Sequence, residues 1–334
     1  MKWNVLLTAG SLRNRAVAEA ARAVLEEADC NITTALDAGM EDIGDLQRAL
    51  PGIEAVLAGV EPYPAALLAD EAASNLKVIS RWGVGFDAVD LKAATENGIL
   101  VANTPNLLND AVADYAFGLL LALARRLHEG HGIMRSGEWR VSWGVDVGGA
   151  TLGIIGFGRI GKAVARRASG FGMRILASDP FPQPDAAALG VEMASMKDLL
   201  AQSDFVTIHT ALNDQTRGLI GEDALRAMKR EAMLINTSRG AVLDEDALVS
   251  ALNEGRIGGA ALDTYCVEPM AADHPLRSAP NVLLTPHQAS FGVRTGRDVS
   301  EMAARAIVDA MNGKTPESVV NPEVLEQGNR AGIG

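Results

Sequence analysis

Hydrophobic and polar positions along this chain switch repeatedly between two periods. Short apolar runs at 5–8, 55–58, 78–80 and 99–101 read as buried strands. Between them, apolar residues recur at helical spacing over 15–28, 42–50, 64–69 and 91–97. A longer segment, 107–127, passes from amphipathic to apolar on every side, which predicts one helix buried against another domain or subunit. Its Arg125-Arg126 pair stands near the C-terminal end, where cations suit the helix dipole. The alternation resumes beyond residue 150, with strands at 205–209, 233–236, 259–263 and 282–285 and helices at 195–201, 222–228 and 244–254. Alternating βα units imply parallel sheets with helices on both faces. A final helix at 297–311 is followed by an apolar Val319-Val320 and a polar tail expected to be loose.

The densest information lies at 151–161, Thr-Leu-Gly-Ile-Ile-Gly-Phe-Gly-Arg-Ile-Gly. A strand-like run, 152–155, meets a G-x-G-x-x-G formed by Gly156, Gly158 and Gly161, and helical spacing follows through Ile160, Ala163, Val164 and Ala168. In such a turn the first glycine permits the tight bend, the second lets a pyrophosphate approach the backbone, and the third lets helix and strand pack closely. The free amides and positive dipole end of the helix then face the phosphates. A second apolar run, 173–177, leads to Asp179, 23 residues after Gly156, placed to accept from ribose hydroxyls. Neither Arg nor Lys follows in Pro180-Phe181-Pro182-Gln183, so NAD is favoured over NADP. The pattern therefore predicts two doubly wound α/β domains of Rossmann or flavodoxin type. An NAD-binding domain, 105–289, is inserted into a substrate domain made of 1–104 and 290–334.

Composition narrows the field. At 334 residues, with 48% hydrophobic and 22% charged, the chain has the material for two cores; aromatics are only 4%, so aliphatic residues must fill them. A net charge of −12 with no basic run argues against nucleic acid. Two cysteines, Cys30 and Cys266, make neither a disulfide framework nor a metal cluster, and no metal site is expected. The N-terminus does not read as a signal peptide, and the longest apolar stretch, 115–124, is about half a bilayer span. No membrane association is expected, and a cytoplasmic home is.

Three titratable or charged residues lie just past three successive strands: Arg239, Glu268 and His287. Ligands of open parallel sheets bind outside the carboxyl ends of the strands. Hydride transfer to a 2-oxo acid needs a cation for the anionic substrate, an acid for the developing alkoxide, and a carboxylate that can keep an imidazole charged. Singly, His287 reads as a loop histidine, Glu268 as a turn residue before Pro269, and Arg239 as a capping or solvated cation; their joint placement favours the catalytic reading.

Over roughly 50–325 the chain resembles the NAD-dependent D-isomer-specific 2-hydroxyacid dehydrogenases, especially the phosphoglycerate-dehydrogenase-like members. The motifs that carry the likeness are Arg-Trp-Gly-Val-Gly-Phe-Asp-Ala-Val-Asp (81–90), Asn-Thr-Pro (103–105), the glycine turn (152–162), Asn-Thr-Ser-Arg-Gly-Ala-Val-Leu-Asp (236–244), Ala-Leu-Asp-Thr-Tyr-Cys-Val-Glu-Pro (261–269) and Thr-Pro-His (285–287). The resemblance implies His287 as acid/base, Glu268 as its partner, and Arg239 as the group orienting carboxylate and carbonyl. It implies amides around Gly83, Val84 and Gly85 as receptors of the substrate carboxylate. It also implies Val84, Arg159, Ile160, Thr210, Thr216, Thr237 and Ser238 along the cofactor, with Asp263 facing the nicotinamide carboxamide. A homodimer is implied too, with 107–150 at the contact and Trp139 or Arg135 near the neighbour's cleft.

Two segments depart from the family pattern: Ala211 and Asn213 stand where Pro and Thr are common, and Gln288-Ala289-Ser290 replaces a small, glycine-bearing run. The substrate stays open. Arg13 and Arg15 either reach a distal phosphate, as 3-phosphoglycerate would require, or are solvated helix-start residues. Without a phosphate contact, glyoxylate, hydroxypyruvate or another small 2-oxo acid fits equally. A non-catalytic NADH sensor is the rival from another class, and it leaves the trio unexplained.

Overall fold

The computed structural model describes residues 2–35 and 43–333. They fall into two compact units, one formed by residues 1–108 with 291–334, the other by 109–290. Each is an all-parallel sheet covered by helices.

In the first unit, β1 (Asn4–Leu7), β2 (Asn31–Thr34), β3 (Ala55–Ala58), β4 (Val78–Arg81) and β5 (Leu100–Ala102) lie in the order β2-β1-β3-β4-β5. The helix Arg15–Glu27 begins at Asn14, whose side chain accepts from the amides of Ala16 and Val17. It packs against the long helix Val293–Met311. That helix is fixed to the sheet by Ser80, whose hydroxyl donates to the Ala303 carbonyl, and by Trp82, whose indole donates to Ser300. The helix expected over 42–50 is seen from Ile43 to Ala49, and residue 42 lies outside the described residues.

The second unit holds β6 (Thr151–Ile155), β7 (Arg174–Ser178), β8 (Val191–Met193), β9 (Phe205–Ile208), β10 (Met233–Asn236), β11 (Gly259–Leu262) and β12 (Val282–Leu284), in the order β12-β11-β10-β9-β6-β7-β8. Chain direction across the sheet reverses between β6 and β9, where a ligand crevice forms in such sheets. Side chains alternate between two cores: Leu152, Ile154, Phe205 and Ile235 face the helices Asn109–Ala124 and Arg159–Gly170, while Ile155, Val206, Ile208 and Leu234 face the opposite layer.

Four features differ from the sequence expectation. β2 and β8 are edge strands with mostly exposed residues, so neither has an apolar run to betray it. The long helix ends at Ala124; Arg126 adopts a left-handed φ of 52°, and a second helix, Leu127–Arg135, follows. The tail is held rather than loose. Val319 bridges Ala102, the Asn321 side chain accepts from the Val101 amide and donates to the Ile99 carbonyl, and the Arg330 guanidinium donates to the carbonyls of Ala73, Ser74 and Leu76. Its polarity reflects tertiary hydrogen bonding, not solvation. Among the described residues no helix is long and apolar enough to cross a membrane.

Candidate active site

The glycine turn after β6 is built as its spacing suggested. Gly156 has a φ of +87°, and a Cβ there would lie 2.7 Å from the His209 backbone. A Cβ at Gly161 would lie 2.3 Å from the Gly156 carbonyl oxygen, whereas one at Gly158 would meet nothing within 4 Å. Two glycines thus serve close packing, and the third keeps space open before the helix that starts at Arg159. Asp179, just past β7, accepts from the Phe157 amide at 2.7 Å and from the Phe181 amide at 2.9 Å, which locks it to the turn.

Past β9, β10 and β11 the hydroxyl oxygens of Thr210, Thr237 and Thr264 are buried and lack a hydrogen-bond partner among the described residues. Buried polar atoms are seldom left so, and a row of them along the carboxyl edge is what a polar ligand would satisfy. Thr264 was not singled out from the sequence; its only signal was its place beside Asp263. Other expected cofactor residues turn inward. The Thr216 hydroxyl donates to the Ala211 carbonyl, and Asn213 accepts from the amides of Gln215 and Thr216, so the departure at Asn213 organises its own loop. The Ser238 hydroxyl donates to the Asn236 side chain, and Asn236 in turn donates to the Arg239 carbonyl, fixing the turn that carries Arg239.

The trio is assembled at the ends of β10, β11 and β12. His287 Nδ1 lies 2.6 Å from Glu268 Oε2, and Glu268 Oε1 accepts from the Tyr265 amide at 2.8 Å. Burial pushes the Glu268 carboxyl up, but the hydrogen bond and charge of His287, the Tyr265 amide and the Arg239 charge outweigh it, leaving its pKa below the ordinary value. His287 itself has a left-handed φ of 50°. Its turn is braced by Asp263, a fully buried carboxylate that accepts from the Thr285 hydroxyl at 2.6 Å and from the amides of Gln288 and Ala289. Burial is the largest influence on Asp263 and raises its pKa against those hydrogen bonds. The side chain of Gln288 donates to Tyr115 Oη at 2.7 Å, on the helix Asn109–Ala124. A second histidine, His209 just past β9, is kept neutral: desolvation lowers its pKa to about 3.

The NAD binding domain model of the D-isomer specific 2-hydroxyacid dehydrogenases matches residues 117–289, more than half of the chain. The chain belongs to this family. As a D-isomer specific 2-hydroxyacid dehydrogenase it is an NAD-dependent oxidoreductase that moves a hydride between NAD(H) and a small 2-hydroxy or 2-oxo acid. It is similar to a glyoxylate reductase of Korarchaeum cryptofilum, at 48% identity over 263 residues, covering 77% of this chain and 79% of that one. Among solved structures it is similar to the apo form of D-lactate dehydrogenase from Escherichia coli, at 30% identity and a TM-score of 0.83, covering 95% and 99% of the two chains. It is also similar to NAD-dependent formate dehydrogenase from Staphylococcus aureus in complex with NAD, at 30% identity and 0.84, covering 96% and 99%. The open space at Gly158, the aligned helix and the unpartnered threonine hydroxyls fit a bound NAD in this dehydrogenase. Arg159, Ile160 and Gly161 begin that helix.

Proposed function

We propose that this dehydrogenase reduces small 2-oxo acids, glyoxylate foremost, to the corresponding 2-hydroxy acids. The observation that carries the reading is the His287–Glu268 pair: with Nδ1 held by the carboxylate, Nε2 is the ring nitrogen left to exchange a proton with substrate. Bound NADH supplies the hydride. His287 donates its proton to the carbonyl oxygen as charge develops there, Glu268 keeps the ring oriented, and Arg239 orients the carboxylate and carbonyl of the substrate. In the first unit the turn at Gly83, Val84 and Gly85 is assigned to the substrate carboxylate. Thr210 and Thr237, and with them Thr264, are assigned to the cofactor, and Asp179 to its ribose. Asp263 acts through the His287 turn.

Glyoxylate is favoured by the relatives that bear its name, and Arg15 gives no support to a phosphate site, since it is exposed and paired with Glu19 at 2.7 Å. We further assign a homodimer: Trp139 and Trp143 are 88% and 89% exposed on one extended segment, with Val141 between them at 81%, and such rings seek a partner surface. A cytoplasmic location, consistent with two free thiols, completes the reading. The test follows NADH absorbance with glyoxylate, hydroxypyruvate, pyruvate and 3-phosphohydroxypyruvate. The highest kcat/KM is expected with glyoxylate, and NADH oxidation with none of the four would overturn the assignment.

A further inference from the structure

Four polar contacts surround the turn after β4, and together they have a directional consequence. Gly83, at a φ of +132°, donates its amide to the Thr104 hydroxyl at 2.9 Å, and its carbonyl accepts from the Thr104 amide at 3.0 Å. The Val84 carbonyl accepts from Asn103 Nδ2 at 2.8 Å, and the Gly85 carbonyl accepts from Arg81 Nε at 3.1 Å. Three successive carbonyls are therefore drawn inward. In a planar trans peptide the N–H of the next residue points opposite to the carbonyl. The amides of Val84, Gly85 and Phe86 are thus turned the other way, and none has an acceptor among the described residues. Successive amides aimed alike form an anion-binding concavity.

The donors that set this aim are not surface groups. Arg81 is 4% exposed and Asn103 is 6% exposed. Asn103 is itself oriented: its Oδ1 accepts from the Ser318 hydroxyl at 2.5 Å and its amide donates to the Ser318 carbonyl, so only Nδ2 can face Val84.

We propose that Asn103, set by Ser318 from the C-terminal segment, and Arg81 are positioning residues that hold the carbonyls of Val84 and Gly85 back and so aim the amides of 84–86 at the substrate carboxylate. The proposal rests on the 2-oxo-acid reductase reading above. Asn103→Asp keeps the size of the side chain but replaces the donor with an acceptor facing the Val84 carbonyl, so the peptide must tilt. Ser318→Ala removes only the orienting hydroxyl, and Ser318→Thr restores it.

The test measures kcat and KM for glyoxylate, the inhibition constant of oxalate as a carboxylate probe, and NADH affinity by fluorescence. In Asn103→Asp, KM and the oxalate constant are expected to rise together by about tenfold, with NADH affinity unchanged and kcat within about twofold. Ser318→Ala is expected to show about a third of that rise, reversed in Ser318→Thr. A merely structural role would move NADH affinity or kcat as well, or leave oxalate binding alone. If Asn103→Asp does not fold, the Ser318 pair decides. Unchanged KM and oxalate binding in a folded Asn103→Asp, or in Ser318→Ala where that pair decides, would overturn the tether while the wild-type turnover stands. Absence of wild-type turnover would overturn the underlying reading and the tether with it.

Discussion

Two glycine-bearing turns follow strands in the two parallel sheets of this dehydrogenase, and in the reading proposed above they present amides to anions by different means. After β6, the turn runs straight into the helix Arg159–Gly170, so repeating backbone geometry aims the amides and the dipole adds to them. After β4 the chain enters no helix until Leu91, and the carbonyls at 83–85 are tied back by Thr104, Asn103 and Arg81. The first device is local and leaves a signature in eleven consecutive residues. The second is assembled from side chains far apart in sequence, one of them oriented by Ser318, and its glycines alone do not disclose it. A backbone receptor is as legible as the contacts that aim it are local.

Three measurements sharpen or break that contrast, from the largest effect down. Loss of the proposed proton donor comes first: His287→Ala is expected to lower reductive kcat by about 10²- to 10⁴-fold, the usual contribution of acid catalysis, with NADH still binding by fluorescence titration. Near-normal turnover would remove His287 from the chemistry and leave the second unit a cofactor carrier only. Next, Gly161→Ala and Gly158→Ala should part company. The first forces a Cβ within 2.3 Å of the Gly156 carbonyl oxygen and is expected to lower the Tm, with a cost of about 1–3 kcal/mol, and NADH affinity with it. The second meets nothing in the protein and should leave the Tm alone while weakening NADH by about tenfold or more. Equal Tm losses would mean that the space before the helix is structural.

The smallest effect concerns pH. Glu268 has a depressed pKa in the folded protein, so its ionised form is favoured by folding. That contribution is fully present above the ordinary carboxylate range and is lost as pH falls through the lowered value. The same carboxylate holds His287 Nδ1 at 2.6 Å. Glu268→Gln is expected to flatten the fall of the Tm on the acid side, with the alkaline side unchanged. An unmoved acid limb would show that folding does not favour the ionised Glu268 carboxylate.

Most of the second unit's strands were readable because both faces of its sheet are covered, so β6, β7, β9, β10 and β11 are apolar runs with turn residues at their ends. The contact between Glu268 and His287 followed from their placement beyond adjacent strands, since parallel order brings such residues to one edge. The roles of Asp263 and Asn236 as braces were hidden, because a carboxylate or amide reads alike whether it faces ligand or backbone. β2, β8 and the break at Arg126 were missed for want of any local mark: the edges are polar, and nothing in Arg125-Arg126 announces a left-handed residue.

The Ala102–Val319 bridge carries a consequence beyond the tail itself. It covers the open side of β5, whose Val101 amide and carbonyl are answered by Asn321 and Val320. Clipping the chain ahead of Pro316 would bare a strand border ready to recruit foreign backbone, and the same cut would take away the hydroxyl that steers Asn103. Self-association and a slackened grip on oxo acids would then arrive as one phenotype.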